Sequence, residues 1–385
     1  MPSGPRLPLS DLRVVDLSRV LAGPYAAQIL GDLGADVIKV EHPRGDDTRR
    51  WGPPEHDGAA AYYLTANRNK RSRVLDFTRP DDLAALLALL AGADVLIENY
   101  KNGDLARHGL DFETLHARFP RLVYCSITGF GSTGLLAPRA GYDAVVQAMA
   151  GLMSITGPDP AHPTKVGVAV ADLSTGLHAV SAILAALRER DRSGLGQRCE
   201  LALYDTQVSG LANVAMNFLC TGEVPRPLGD AHASIVPYQS FDSADRPLML
   251  AVGNDAQFAA LCHALGEPQW AADPRFASNP ARVVHRDVLV PAIAQKLSQR
   301  PRAHWLELLA DTIVPHGPIQ DLGELADDPQ LRARDLFTTM DDGHTPCLRS
   351  PIVLSRTPIT SYRRPPALGE HPDATWPTPE DGSPP

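Results

Sequence analysis

Along the first forty residues the apolar positions change period twice. Leu12–Leu17 (LRVVDL) is a short run with β-branched residues, which reads as a buried strand. Gly23-Pro24 then opens a helix, with proline where a missing N–H costs least. Tyr25, Ile29, Leu30 and Leu33 follow at helical spacing, and Gly34 is placed to cap the end. Val37–Val40 is the next strand, closing on Glu41. The helical pattern Asp81–Leu90 precedes further strands at Asp94–Ile97 and Leu122–Ile127. Strands alternating with helices predict a parallel α/β sheet that binds ligands at the strand C-termini.

Farther on, the spacing predicts a long helix over Ser174–Arg190, with Leu177, Val180, Leu184 and Leu187 on one face. The stretch Ser193–Gln197 turns into a strand over Arg198–Leu203, and a second long helix is expected over Tyr204–Phe218. EVPRPLGD, after Thr221-Gly222, is a linker. From Ile235 to Ala310 strands and helices mix, and PYQSFDSADRPLMLAVG reads as a hairpin, giving a second, smaller domain. The closing ATWPTPEDGSPP is Pro-rich and polar and is expected to be disordered.

Composition narrows the function. With 385 residues, 44% of them apolar, the chain can build two or more packed cores. No apolar run reads as a membrane span, and no secretion signal opens the chain, so a cytoplasmic location is expected. The five cysteines form no CxxC pair and the thirteen histidines no HExxH, so neither disulfides nor a metal site is expected. A net charge of −9 argues against nucleic acid.

Local chemistry leaves several readings open. Glu41 sits where a ribose-binding acid would, but the preceding turn, SRVLAGPYAA, lacks GxGxxG. A solvated strand-end acid is the alternative. The segment Asn67–Phe77 carries Arg68, Lys70, Arg71 and Arg73. It is either a solvated basic face or a phosphate cradle, with His42 and Arg107 as possible additions. Asp172 starts a helix, where the dipole favours an ionised carboxylate. It is either a cap or a nucleophile.

The motifs together are more specific. VVDLSRVLAGPYAAQILGDLGADVIKVEHPRGDDTR, NRNKRS, DVLIENY, SITGFG, RAGYD and GVAVADLSTGLHAVSAILAALRERDRSGLGQ closely resemble the class III CoA-transferases, over residues 8–371. The resemblance implies a Rossmann-like large domain with a parallel sheet plus a smaller α+β domain, in an interlocked homodimer. Residues 1–222 would begin the large domain, 223–320 form the small domain with its linkers, 321–371 return to the large one, and 372–385 trail as a tail.

It also implies that Asp172 is the nucleophile and that an acyl-CoA and small carboxylic acids are the substrates, with no permanently bound cofactor. CoA contacts are expected from Arg19, Val20, Leu21, Ala22, His42, Asn67, Arg68, Asn69, Lys70, Asn99, Tyr100, Arg107, Arg139 and Tyr142. Oxyanion donors are expected at Val252–Asn254. HASIVPYQ (His232–Gln239) stands where formyl-CoA transferases carry a glycine run, and with AVGNDAQF it resembles the branch acting on dicarboxylates. Racemases of the same superfamily have AGHD where this chain has AGYD, and a phenol is a poor base for an α-proton at neutral pH. A 2-methylacyl-CoA racemase and a non-catalytic CoA-binding homologue are the competing readings.

Overall fold

The computed structural model describes residues 6–376, and the chain divides into two compact units. The larger holds residues up to 152, 166–222 and those from 332 onward; the smaller holds 153–165 and 223–331.

The larger unit is built on six parallel strands: β1 (Arg13–Asp16), β2 (Asp36–Glu41), β3 (Lys70–Val74), β4 (Val95–Glu98), β5 (Val123–Thr128) and β6 (Arg198–Ala202), in the order β3-β2-β1-β4-β5-β6. The order reverses between β1 and β4, which opens a crevice at their C-terminal ends. Helices cover both faces. On one, α1 (Ala22–Asp32) packs against the 24-residue helix α4 (Val170–Ser193), through Ala26, Leu30, Ala179 and Ile183. On the other lies α2 (Pro80–Ala91), whose Leu86, Leu89 and Leu90 meet Val15, Ile38 and Leu96. A third helix, α3 (Asp143–Met149), precedes α4. By length and composition α4 could span a membrane, yet 44% of its apolar window is buried in this core.

Three expectations change. The strand β3 was hidden because KRSRV has no apolar alternation; Lys70 is paired with Asp16 inside the protein, and Arg71 with Asp36. The single helix expected over Tyr204–Phe218 is two, Leu203–Ser209 and Ala212–Thr221, parted at Gly210, with Ala212 in the left-handed region (φ 45°). The expected tail is ordered as far as it is described: Trp376 is buried and its indole N–H donates to the Leu89 carbonyl at 2.7 Å. Residues 377–385 of that tail lie outside the described residues.

The smaller unit has a three-stranded antiparallel sheet of Tyr238–Phe241, Leu248–Ala251 and His316–Pro318. Phe241, Leu248, Leu250, Phe258, Leu289 and Trp305 build its core. Its return boundary falls near 331 rather than 320, and residues 153–165 also belong to it. Of the expected oxyanion donors, the Val252 N–H is bonded to the Pro237 carbonyl and the Gly253 N–H to Gln257 Oε1. Neither is free to serve.

Candidate active site

The switch point is stitched by side chain and backbone. The Arg19 N–H, after β1, donates to Asn99 Oδ1 at 2.9 Å, and Asn99 Nδ2, after β4, returns a bond to the Arg19 carbonyl at 2.7 Å. Val20 follows with φ 71°, a conformation that costs a β-branched residue on the order of 1–3 kcal/mol. Buried Asp46 holds it there by accepting the Val20 N–H at 3.3 Å on both carboxylate oxygens. Asp46 is in turn neutralised by buried Lys39 at 3.0 Å.

Asp172 lies in the first turn of α4, whose N-cap is Ala169 with no side-chain cap bond. The carboxylate is therefore not used as a cap. It faces α1 instead, where the nearby Ala22 N–H favours its ionised form. Gly176 permits this approach: a Cβ there would stand 2.8 Å from the Ala22 carbonyl oxygen. Asp143, first in α3, accepts the Ala171 N–H at 2.8 Å and Gln147 Nε2 at 2.7 Å. Burial first, and then the charge of Asp143, push the Asp172 carboxyl up to about 7; the Ala22 N–H only partly opposes them. This corrects the expectation that the helix dipole keeps Asp172 fully ionised: desolvation and a like charge outweigh the dipole here.

A cavity of about 220 Å³ joins Asp172 to Arg19, Val20, Ala22, Asn99, Tyr100, Arg139 and Tyr142. A second, of about 570 Å³, shares Arg19, Asp47, Tyr100 and Asp104 with the first and adds His42, Arg44, Arg50 and Arg107. The two make one cleft, with a carboxylate at one end and a basic rim at the other. Acids stand beside several of the rim side chains. Arg50 meets Asp47 at 3.0 Å, His42 lies 3.9 Å from Asp76, and Arg107 pairs with Asp104.

Five of the expected contact residues are not brought to the cleft. Leu21 is buried, its carbonyl accepting the Tyr25 N–H. Asn67, Arg68, Asn69 and Lys70 are also buried. Arg68 forks onto Asp32 at 2.5 and 2.8 Å, and Asn69 Nδ2 joins it on Asp32 at 2.8 Å. Lys70 Nζ donates to Asp16, the Pro24 carbonyl and Asn67 Oδ1, each at 2.9 Å. Burial outweighs the pull of Asp16 and lowers the Lys70 ammonium to about 8. The NRNK segment is thus an internal clamp under the turn before α1, neither a solvated face nor a phosphate cradle. Glu41 is neither alternative too: Arg49 pairs with it at 2.7 Å and Ser72 donates to it at 2.7 Å.

The sequence reading missed Asp143 as a site residue, although RAGYD put it beside Tyr142. It also missed Tyr62, a half-buried phenol pushed up by burial and then by the charges of Asp172 and Asp143. Arg44 and Arg50 carried a signal in the run HPRGDDTRR, in which Arg44 precedes the 3₁₀ turn Asp47–Arg50 and Arg50 closes it.

A carboxylate thus meets a basic rim at the crevice of a doubly wound sheet, the place where proteins of this architecture bind their ligands. Residues 9–372 match the model of CoA-transferase family III, and the chain belongs to that family. It is an enzyme of the CoA-transferase class. It is 49% identical over 374 residues to a succinate–glutarate CoA-transferase of Agrobacterium fabrum, covering 94% of both chains. It is 41% identical to the succinyl-CoA:glutarate CoA-transferase of Mus musculus, covering 94% of this chain and 84% of that one. Among solved structures, a CaiB/BaiF family protein from Brucella suis superposes with a TM-score of 0.86 at 46% identity, over 95% of this chain and 98% of that one.

Proposed function

We propose that this enzyme moves CoA from an acyl-CoA to a free dicarboxylate of the succinate–glutarate size, with Asp172 as the covalent carrier. The observation that carries the reading is a half-desolvated carboxylate at the base of a cleft, near the Ala22 N–H and facing a basic rim at the far end. The similarity to succinate–glutarate enzymes over nearly the whole chain supports the substrate size.

The ionised Asp172 attacks the donor thioester and expels CoA thiolate, forming a mixed anhydride. The thiolate attacks the aspartyl carbonyl, giving an aspartyl-CoA thioester and freeing the donor acid. The acceptor carboxylate attacks that thioester, forming a new anhydride and releasing thiolate again. The thiolate then takes the acceptor acyl group and restores Asp172. Each step exchanges one activated acyl group for another, so neither ATP nor a resident cofactor is needed. Arg19, His42, Arg44 and Arg107 would hold the phosphates through charge-assisted bonds, with Phe77 and Tyr100 beside them.

The same reading makes the protein a cytoplasmic homodimer with interlocked subunits. The helix Ala212–Thr221 supports a partner: none of its residues is buried, and Met216, Phe218 and Leu219 are exposed on it. The five free cysteines suit a reducing compartment.

Incubation with succinyl-CoA and glutarate should yield glutaryl-CoA and succinate without ATP. A parallel incubation with 2-methylacyl-CoA in heavy water should leave the α-position undeuterated. Deuterium uptake without CoA exchange would replace this reading with the racemase.

A further inference from the structure

Away from the cleft, the larger unit brings two hairpin tips together from segments 287 residues apart. One hairpin pairs Glu55–His56 with Ala59–Ala60, and turns at Asp57 and Gly58, both in the left-handed region (φ 49° and 75°). The other pairs Phe337–Thr339 with Pro346–Leu348 and carries His344 in its turn. His344 Nε2 is hydrogen-bonded to the Asp57 carboxylate, and His56 Nε2 stands 3.6 Å from the same Asp57 oxygen. The donor atoms of His56, Asp57 and His344 all lie within 4.8 Å of one another. His56 Nε2 is shielded from solvent and makes no hydrogen bond.

We propose that His56, Asp57 and His344 bind one divalent transition-metal ion of the zinc type. Two imidazole nitrogens and one carboxylate oxygen are a borderline donor set, which suits zinc and not the hard, all-oxygen ions magnesium and calcium. Bonds of about 2.0–2.2 Å put tetrahedral ligand atoms about 3.3 Å apart. The observed triangle reaches that spacing by side-chain torsions at two turn tips. His344 Nδ1 lies 3.8 Å from Asp342 Oδ1, near enough for a small torsion to make it an outer partner, and Nε2 meets the cluster. Asp342 is itself fixed by the N–H groups of His344 at 3.1 Å and Thr345 at 3.0 Å. A carboxylate behind an imidazole is the arrangement that orients metal-bound histidine. The three residues line a cavity of about 530 Å³, which leaves room for water as the fourth ligand. The ion would join the hairpin at 55–60 to the one at 337–348, and it takes no part in the transfer chemistry.

The test uses tag-free full-length protein dialysed against a chelator, titrated with Zn²⁺ by calorimetry with Mg²⁺ as control. The proposal expects one Zn²⁺ per chain at micromolar affinity or tighter, a rise in Tm on loading, and no response to Mg²⁺. His56→Gln and His344→Ala should each weaken zinc binding at least tenfold while zinc-free CoA transfer keeps its rate. His56→Gln changes one half-buried side chain of a short hairpin and breaks no hydrogen bond of its Nε2, so it keeps the test decisive if the other variant folds poorly. Equal zinc binding in wild type and His56→Gln overturns the site. So does an absence of zinc uptake together with a lower Tm in His344→Ala, which would leave an ordinary histidine–aspartate contact.

Discussion

Asp143 fixes the backbone next to Asp172 and at the same time repels its charge. One oxygen of Asp143 holds the Ala171 N–H at 2.8 Å, and its negative charge adds to burial in bringing Asp172 to about 7. A more basic carboxylate is the better nucleophile once ionised, but a smaller fraction of it is ionised at neutral pH. Placing the pKa near 7 balances the two.

The transfer rate should therefore rise with pH through a midpoint near 7 and level off above it, measured as kcat/KM across pH 5–9. Asp143→Asn removes the like charge and should move that midpoint downward. An unchanged profile in this variant would show that burial alone sets the pKa.

Asp172→Asn should remove several orders of magnitude of rate, because the covalent carrier is lost. It should also stabilise the fold. Between the unfolded value near 3.8 and the folded value near 7, the folded chain binds the extra proton, so stability falls as pH rises through that window. The cost is fully present above about pH 7. It is at most about 4 kcal/mol, less where cleft water screens the charges. Asn cannot ionise and escapes it. Thermal melts at pH 8 should show the variant several degrees above wild type, with the gap closing toward pH 4. A lower Tm at pH 8 would contradict this.

Lys70→Ala and Arg107→Ala should fail in opposite ways. Lys70 is buried against Asp16, so its loss leaves that desolvated carboxylate only Ser18 and the more distant Lys39, and should cost roughly 3 kcal/mol, read as a large drop in Tm. Arg107 is exposed at the rim, and its loss should leave Tm alone while raising the KM for acyl-CoA about tenfold.

Gly176→Val tests the contact between the helices that sets the nucleophile. The added side chain meets the Ala22 carbonyl, so α1 and α4 must part, at a cost of about 1–3 kcal/mol. The Ala22 N–H then draws away from Asp172. The pH midpoint should climb above 7 as kcat falls, because the one group that lowers the carboxyl's pKa is weakened.

Much of this architecture was legible because the relevant signals are local. Four of the six sheet strands stand out as apolar runs, a fifth follows the turn at Ser193–Gln197, and the start of α4 marks Asp172. What stayed hidden depends on long-range pairing. Nothing in NRNKRSR tells that Lys70 will meet Asp16, 54 positions earlier, so its charges read as available for phosphate. Trp376 sits in a polar, Pro-rich stretch whose composition says nothing of the Leu89 carbonyl waiting for its indole. The pKa of Asp172 was misjudged for the same reason. The helix dipole can be read from sequence, whereas the Asp143 carboxylate beside it cannot.

The segment after residue 362 reaches back across the first-made part of the molecule. The Asn69 N–H bonds to the Arg363 carbonyl, the His371 N–H to the Ser72 carbonyl, and Trp376 closes over Gly92. During synthesis the N-terminal half emerges first, and β3 and α2 must wait, with this flank uncovered, until residues 363–376 leave the ribosome. The larger unit thus closes last, and the small unit, contained between 153 and 331, is free to fold before it. A chain halted before residue 363 would display the Leu89–Leu90 edge to chaperones and proteases, which gives the cell a physical means of recognising incomplete copies.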